Sequence, residues 1–118
     1  MAPLTSTATL DVSLPPAEVR DRVLTWFRPY SHRVLVDTVD RLEVASGSQA
    51  KMRLIGGAFI AGSSLPTRTI VTIDADAPGS RVTVTAQDAV VVGLKTGMKH
   101  KYEQWVASIV DGIRAALT

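Results

Sequence analysis

The sequence predicts a two-layer α+β domain: one antiparallel sheet in β-α-β(4 or 5)-α order, with a long C-terminal helix packed on a single face. Two patterns carry this prediction. Apolar and polar residues alternate with period two through most of residues 7–89, and the pattern changes to a helical period from residue 97 to residue 117. A sheet with one apolar and one polar face is covered on one side only, as antiparallel sheets commonly are.

The stretch TATLDVSL places Ala8, Leu10, Val12 and Leu14 on one side and Thr7, Thr9, Asp11 and Ser13 on the other, which is a half-buried strand ending at Pro15. In PPAEVRDRVLTWFRPY the paired prolines suit a helix start. Glu18 and Asp21 lie early and Arg28 late, in accord with the helix dipole, while Val19, Val23 and Phe27 recur on one face and Pro29 stops the helix. Residues 32–46 return to strand, as one bent strand or two short ones about DTVD. QAKMRLIGGAFIAG reads as a strand with Ala50, Met52, Leu54, Gly56, Ala58 and Ile60 inward, closed by the turn chemistry of GSSLP. TRTIVTIDADAPGSRVTVTAQDA reads as a hairpin about Pro78-Gly79-Ser80, with Val71, Ile73 and Ala75 facing Val82, Val84 and Ala86. Arg68, Thr72, Asp74, Arg81, Thr83 and Thr85 then face water. Finally, Met98, Tyr102, Trp105, Ile109 and Ile113 form one stripe of the closing helix, flanked by Val106, Val110 and Leu117. That stripe is expected to cover the sheet, with Trp105 and Ile109 at its centre.

The segments ATLDVSLPPAEVRDRVLTWF and GMKHKYEQWVASIVDGIRAAL give this order a likeness among known families. The layout resembles the helix-grip fold of the SRPBCC superfamily, which includes START lipid-transfer domains, polyketide cyclases and birch-pollen-allergen-like proteins. There, a first strand runs through one or two prolines into a short helix, and a long helix closes the chain. The match spans nearly the whole chain by residue class, without invariant chemical residues. A departure is size, because 118 residues leave room for fewer or shorter strands. The resemblance implies a pocket between sheet and closing helix for a small apolar molecule.

Composition narrows the function. The chain of 118 residues reads as one domain, residues 1–118, large enough for a core without staples. Its 46% hydrophobic content contains no long uncharged apolar run, so no spanning helix is expected. MAPLTSTATLDVSLPP lacks the basic and apolar parts of a secretory signal, which makes a cytoplasmic location the expectation. The absence of cysteine removes disulfides, thiolate zinc sites and cysteine nucleophiles. A net charge of +2 is too small to suggest a phosphate-backbone binder. Lys51, Arg53, Arg68 and Arg81 share an outward face, but that face has no stacking aromatics and carries Asp74.

No set of residues points to catalysis, a metal or a cofactor. His32 and His100 read as solvated, and Asp40 and Asp88, although in phase with apolar strand residues, read as turn or cap aspartates. Gly56, Gly57 and Gly62 fit no phosphate loop and are expected to bend their strand. Small inward residues leave space that Tyr102 and Trp105 fill, or that stays open to a ligand touching Met52, Leu54, Gly56, Phe59, Met98, Tyr102 and Trp105, entered beside Gly56-Gly57. Lys95 and Lys99 lie at the start of the closing helix after Thr96, where they read as solvated flank residues or as an anion site. The expected function is noncatalytic binding of a small apolar or amphipathic ligand between sheet and helix. The alternative is an interaction module with a closed core, pairing with a partner or forming a homodimer.

Overall fold

The computed structural model describes residues 5–47, 65–76, 78–88 and 98–118, with Met98 and Lys99 described by backbone alone. The elements are β1 (Thr5–Val12), α1 (Pro16–Phe27), β2 (His32–Asp37), β3 (Arg41–Ser46), β4 (Thr67–Asp76), β5 (Gly79–Asp88) and α2 (Met98–Leu117). The strands form one antiparallel sheet in the order β1-β5-β4-β3-β2, so the first strand pairs with the last. The expected strand over residues 49–62 lies outside the described residues.

Each element follows from its sequence, with some adjustments imposed by neighbours. Pro15 stands in extended backbone before Pro16 opens α1, and its carbonyl accepts the N–H groups of Glu18 and Val19 at 3.0 and 3.1 Å. A helix start without a side-chain cap is thereby satisfied by backbone. Val19, Val23 and Phe27 are fully buried, as their spacing predicts. The helix ends in a tight turn in which the N–H of Arg28 donates to Thr25 O at 3.2 Å, just before Pro29.

Residues 32–46 form two strands. Thr38 and Asp40 make the turn between them, through the Thr38 N–H to Arg41 O at 2.9 Å and the Thr38 hydroxyl to Asp40 Oδ1 at 2.9 Å. The register is irregular between Val34 and Val36, which leaves Val34 opposite Val44 and Val36 opposite Glu43. Simple alternation would put both valines on one face; the bulge separates them.

The β4–β5 hairpin is tighter than the sequence suggests, with Asp76 opposite Gly79 and with Gly79 and Ser80 already inside β5. Strand β1 is the cause. A Cβ on Gly79 would lie 2.9 Å from the carbonyl carbon of Val12, and the Ser80 hydroxyl donates to Leu14 O at 2.7 Å. Val71 and Ile73 stand opposite Val84 and Val82 as expected, and all four are buried. Ala75, expected inward, is exposed because it lies past the last core pair, Ile73 and Val82.

Both helices lie on the inner face, α2 against β1 and β5 and α1 against α2 and β4. From α2, Tyr102, Val106, Ile109, Val110, Ile113 and Leu117 are buried. Trp105 is not at the centre of the stripe: it is half-buried and turned toward α1. Its ring stacks on Trp26 at 6.3 Å between centroids and meets Tyr30 edge-on at 5.3 Å. Gly112 makes room for this junction, since a Cβ there would come within 2.6 Å of Cε2 and Cζ2 of Trp26.

On the outer face, Thr7 pairs with Thr85 and Thr9 with Thr83 through their hydroxyls, at 3.3 and 3.2 Å. Arg81 faces water as expected and pairs there with Asp11 at 3.0 Å. Arg68 likewise pairs with Glu43, whose carboxylate accepts from Arg41 Nε at 2.7 Å and from Arg68 Nε at 2.9 Å. The side chain of Glu43 is only 8% exposed, so an unpaired charge there would be costly. The hydrogen bond from Arg41, followed by that from Arg68, holds the Glu43 carboxyl below the ordinary glutamate range in spite of burial. The unfolded chain then takes up this proton first, and the stability Glu43 contributes above about pH 4.3 is lost as pH falls toward the lower native value. Urea unfolding as a function of pH should therefore show a shallower acid decline in Glu43→Gln. Asp37, lowered by its hydrogen bond to Arg20, keeps part of the slope in that variant. An unchanged decline would show that the triad has no part in it.

Among the described residues, no helix is long and apolar enough to cross a membrane.

Candidate functional site

Strand register brings four polar residues into one row on the inner face. His32 pairs with Ser46, Ser46 with Thr67, and Thr67 with Asp88, across β2, β3, β4 and β5. The next rows along the sheet contain Val44, Val71, Val84 and Ala86, so the inner surface is polar at one end and apolar beyond. This corrects the expectation that the covered face of the sheet is apolar throughout. The signal was present in the sequence: in TRTIVTI, Thr67 and Thr69 share the parity of Val71 and Ile73.

The polar row is nearly dry at its middle. Ser46 and Thr67 are 5% and 1% exposed, and their hydroxyls are 2.6 Å apart. Thr69, one step deeper on the same face of β4, is fully buried and its hydroxyl has no hydrogen-bond partner among the described residues. Above them, the Tyr102 hydroxyl donates to Pro66 O at 3.0 Å, which ties α2 to the chain entering β4. Burial, with the charge of Asp88 adding to it, pushes this phenol above its ordinary range, so it stays a neutral donor.

The row borders a surface cleft at the strand ends, which Arg33, Ala45 and Arg68 reach from the outer face. The cleft, of about 490 Å³, is lined by Ser31, His32, Arg33, Leu35, Ala45, Ser46, Gly47, Pro66, Thr67 and Arg68. Gly47 closes its floor: its φ is +86°, a region that favours glycine, and its N–H donates to Ser31 O at 3.1 Å. His32 is exposed, but its ring lies 5.9 Å from Phe27 and its Nδ1 is 2.9 Å from Tyr30 O. Since a carbonyl only accepts, Nδ1 carries a hydrogen and Nε2 is the nitrogen left for other partners.

Solved structures share this architecture. Protein MLL2253 from Mesorhizobium loti matches with a TM-score of 0.55 and 13% identity over 96% of each chain. Ara h 8.0201, a birch-pollen-allergen-like (SRPBCC) protein, matches with a TM-score of 0.53 and 12% identity over 98% of each chain. The fold is α+β helix-grip-like. At such identities the likeness establishes fold alone, and the chain matches no family model and no curated protein.

Within this helix grip the expected site residues separate. Met52, Leu54, Gly56, Phe59 and Lys95 lie outside the described residues, and Met98 and Lys99 are placed only as the first turn of α2. Tyr102 reaches the polar end of the inner face, whereas Trp105 joins Trp26 and Tyr30 in the α1–α2 junction. Its indole Nε1 is buried without a partner among the described residues. Asp40 serves the β2–β3 turn, as expected, and its carbonyl also accepts the N–H of Ile73 at 2.8 Å. Among the described residues no three His, Asp or Glu side chains converge as metal ligands would.

Proposed function

We propose that this helix-grip domain binds a small amphipathic molecule between sheet and α2, without transforming it. The ligand enters by the strand-end cleft, with its polar end among His32, Ser46 and Thr67 and its apolar part beyond. The observation that carries this reading is the Thr69 hydroxyl, fully buried and without a hydrogen-bond partner among the described residues, behind a polar row that borders a cleft. A buried hydroxyl left unsatisfied costs about 1–3 kcal/mol, and a ligand's polar atom would recover part of that. The middle of the row offers the Ser46 and Thr67 hydroxyls, which bind and orient, while its titratable members His32 and Asp88 stand at its two ends.

The test has two arms. Native mass spectrometry of protein purified from its own host, followed by titration with fatty acids, quinones and polycyclic aromatics, should show a saturable ligand. Thr69→Val, which keeps the shape and removes the hydroxyl, should stabilise the ligand-free protein by about 1 kcal/mol while weakening a ligand that bonds to it. No saturable binding to the folded wild type would overturn the reading.

A second reading rests on β2, an edge strand where Val34 and Leu35 are 39% and 40% exposed, followed by Val39, 84% exposed, in the β2–β3 turn. Exposed apolar edges invite strand pairing, and a homodimer through β2 would cover them. Sedimentation would then report a dimer that Leu35→Lys dissociates.

A further inference from the structure

Hydrogen bonds at its two ends fix which way the backbone of β2 faces. The Gly47 N–H donates to Ser31 O, one step before the His32–Ser46 pair, and the Thr38 N–H donates to Arg41 O, one step past the Asp37–Leu42 pair. Hydrogen-bonded and non-bonded pairs alternate along an antiparallel ladder, so Ser31, Arg33, Val36 and Thr38 turn their backbone groups toward β3. His32, Val34 and Asp37 turn theirs the other way, to the edge of the described sheet. The side chains of these three all lie on the inner face, in register with Ser46, Val44 and Leu42. Arg33 and Val36 lie on the outer face, opposite Ala45 and Glu43, and Leu35 is the extra residue of the bulge, where two residues stand against one. With the bulge taken as one position, β2 alternates inner, outer, inner, outer, inner. An imidazole stands at one end, a carboxylate at the other and Val34 in the middle.

We infer that β2 pairs antiparallel with β2 of a second copy of this chain, about a two-fold axis through Val34, so that the two sheets run on as one. The inference rests on the homodimer reading above and adds the register to it. A two-fold contact uses the same surface on both copies, and three registers keep side chains of like face together. An axis at Arg33 sets two guanidiniums directly opposite each other, which is destabilising. An axis at the bulge sets bulge against bulge and Val34 against the carboxylate of Asp37 of the partner subunit. The axis at Val34 brings the two valines together, lays the stem of Arg33 along the partner's Leu35 and the partner's Val36, and sets His32 opposite the partner's Asp37. Every outward backbone group of His32, Val34 and Asp37 then meets one of the same three in the other copy. Tyr30 O already engages Nδ1 of His32, which leaves Nε2 for that carboxylate. Asp37 also accepts from Arg20 Nε at 2.7 Å, and a carboxylate has acceptor sites to spare for a second partner. The exposed parts of Val34 and Leu35 are covered in the same step.

The chain has no cysteine, so a nitroxide label can be placed at one position at a time through His32→Cys, Val34→Cys and Asp37→Cys. All three positions lie on an edge strand, and circular dichroism with a melting curve checks that each variant folds. At concentrations where sedimentation reports a dimer, spin–spin broadening of the resonance should be strongest for the label at position 34 and weak and similar at 32 and 37. An axis at Arg33 would instead broaden 32 and 34 equally, and an axis at the bulge 34 and 37. Either of those orders would overturn the register and leave the homodimer standing. Broadening at none of the three in a dimer would overturn β2 as the interface, and a wild type that stays monomeric at every concentration would overturn register and homodimer together. A second measurement needs no label. His32→Asp sets like charges opposite each other twice in the dimer and should raise its dissociation constant about tenfold, with a smaller rise in His32→Asn. An unchanged dissociation constant in His32→Asp would overturn the pairing of His32 with Asp37.

Discussion

Phe27→Ala is expected to cost about 3–5 kcal/mol in urea unfolding, close to the whole margin by which a small domain is stable. Phe27 is fully buried at the end of α1, meets Trp26 edge-on at 5.0 Å between centroids, and lies against His32 at the start of β2. Its removal opens a cavity between the helix layer and the sheet that side chains fixed on rigid elements cannot collapse to fill. Ile109→Ala, fully buried in α2, should lose about 2–5 kcal/mol by the same mechanism. Trp105→Ala should lose less than Phe27→Ala, because the indole is half-buried in the aromatic junction with Trp26 and Tyr30. If Trp105→Ala proves the more damaging, the packing of α2 on α1 described above is wrong.

Gly47→Ala should be the most disruptive single-methyl change in the described chain near the cleft. Two costs combine there. The left-handed φ of +86° penalises any L side chain by about 1–2 kcal/mol. A Cβ would also collide with the carbonyl of Leu65 and come 2.8 Å from Pro66 N, and both are backbone atoms that cannot swing away. Overpacking of this kind adds about 1–3 kcal/mol. The expected readout is a lower urea midpoint together with loss of ligand binding, since Gly47 and Pro66 both line the cleft. A Gly47→Ala protein as stable as wild type would mean that this turn adopts another conformation.

The acid limb governed by Glu43 and the effect of Thr69→Val test smaller features, and they report on different layers. Glu43 belongs to the outer face and to the arginines that cover it. Thr69 belongs to the interior behind the cleft. A change in one without the other would separate sheet stability from ligand recognition.

The sequence alone determined the element order, the single covered face of the sheet, and the buried stripe Val19, Val23 and Phe27, because these depend on local periodicity and on proline and turn chemistry. The inward parity of Thr67 and Thr69 was legible for the same reason, whereas the polar DTVD left one bent strand or two short ones open until the turn at Thr38 and Asp40 divided them. Only the tertiary structure decided the rest. Pairing of β1 with β5 drew Gly79 and Ser80 into the strand, and packing against α1 turned Trp105 off the centre of its helix. The row His32, Ser46, Thr67 and Asp88 joins residues far apart in the chain, and Arg33 and Arg68 meet at one cleft only because β2 and β4 flank β3. Periodicity tells which way a side chain faces along its own strand. Register between strands tells which side chains it faces alongside, and that is set by long-range hydrogen bonds and packing that no local pattern encodes.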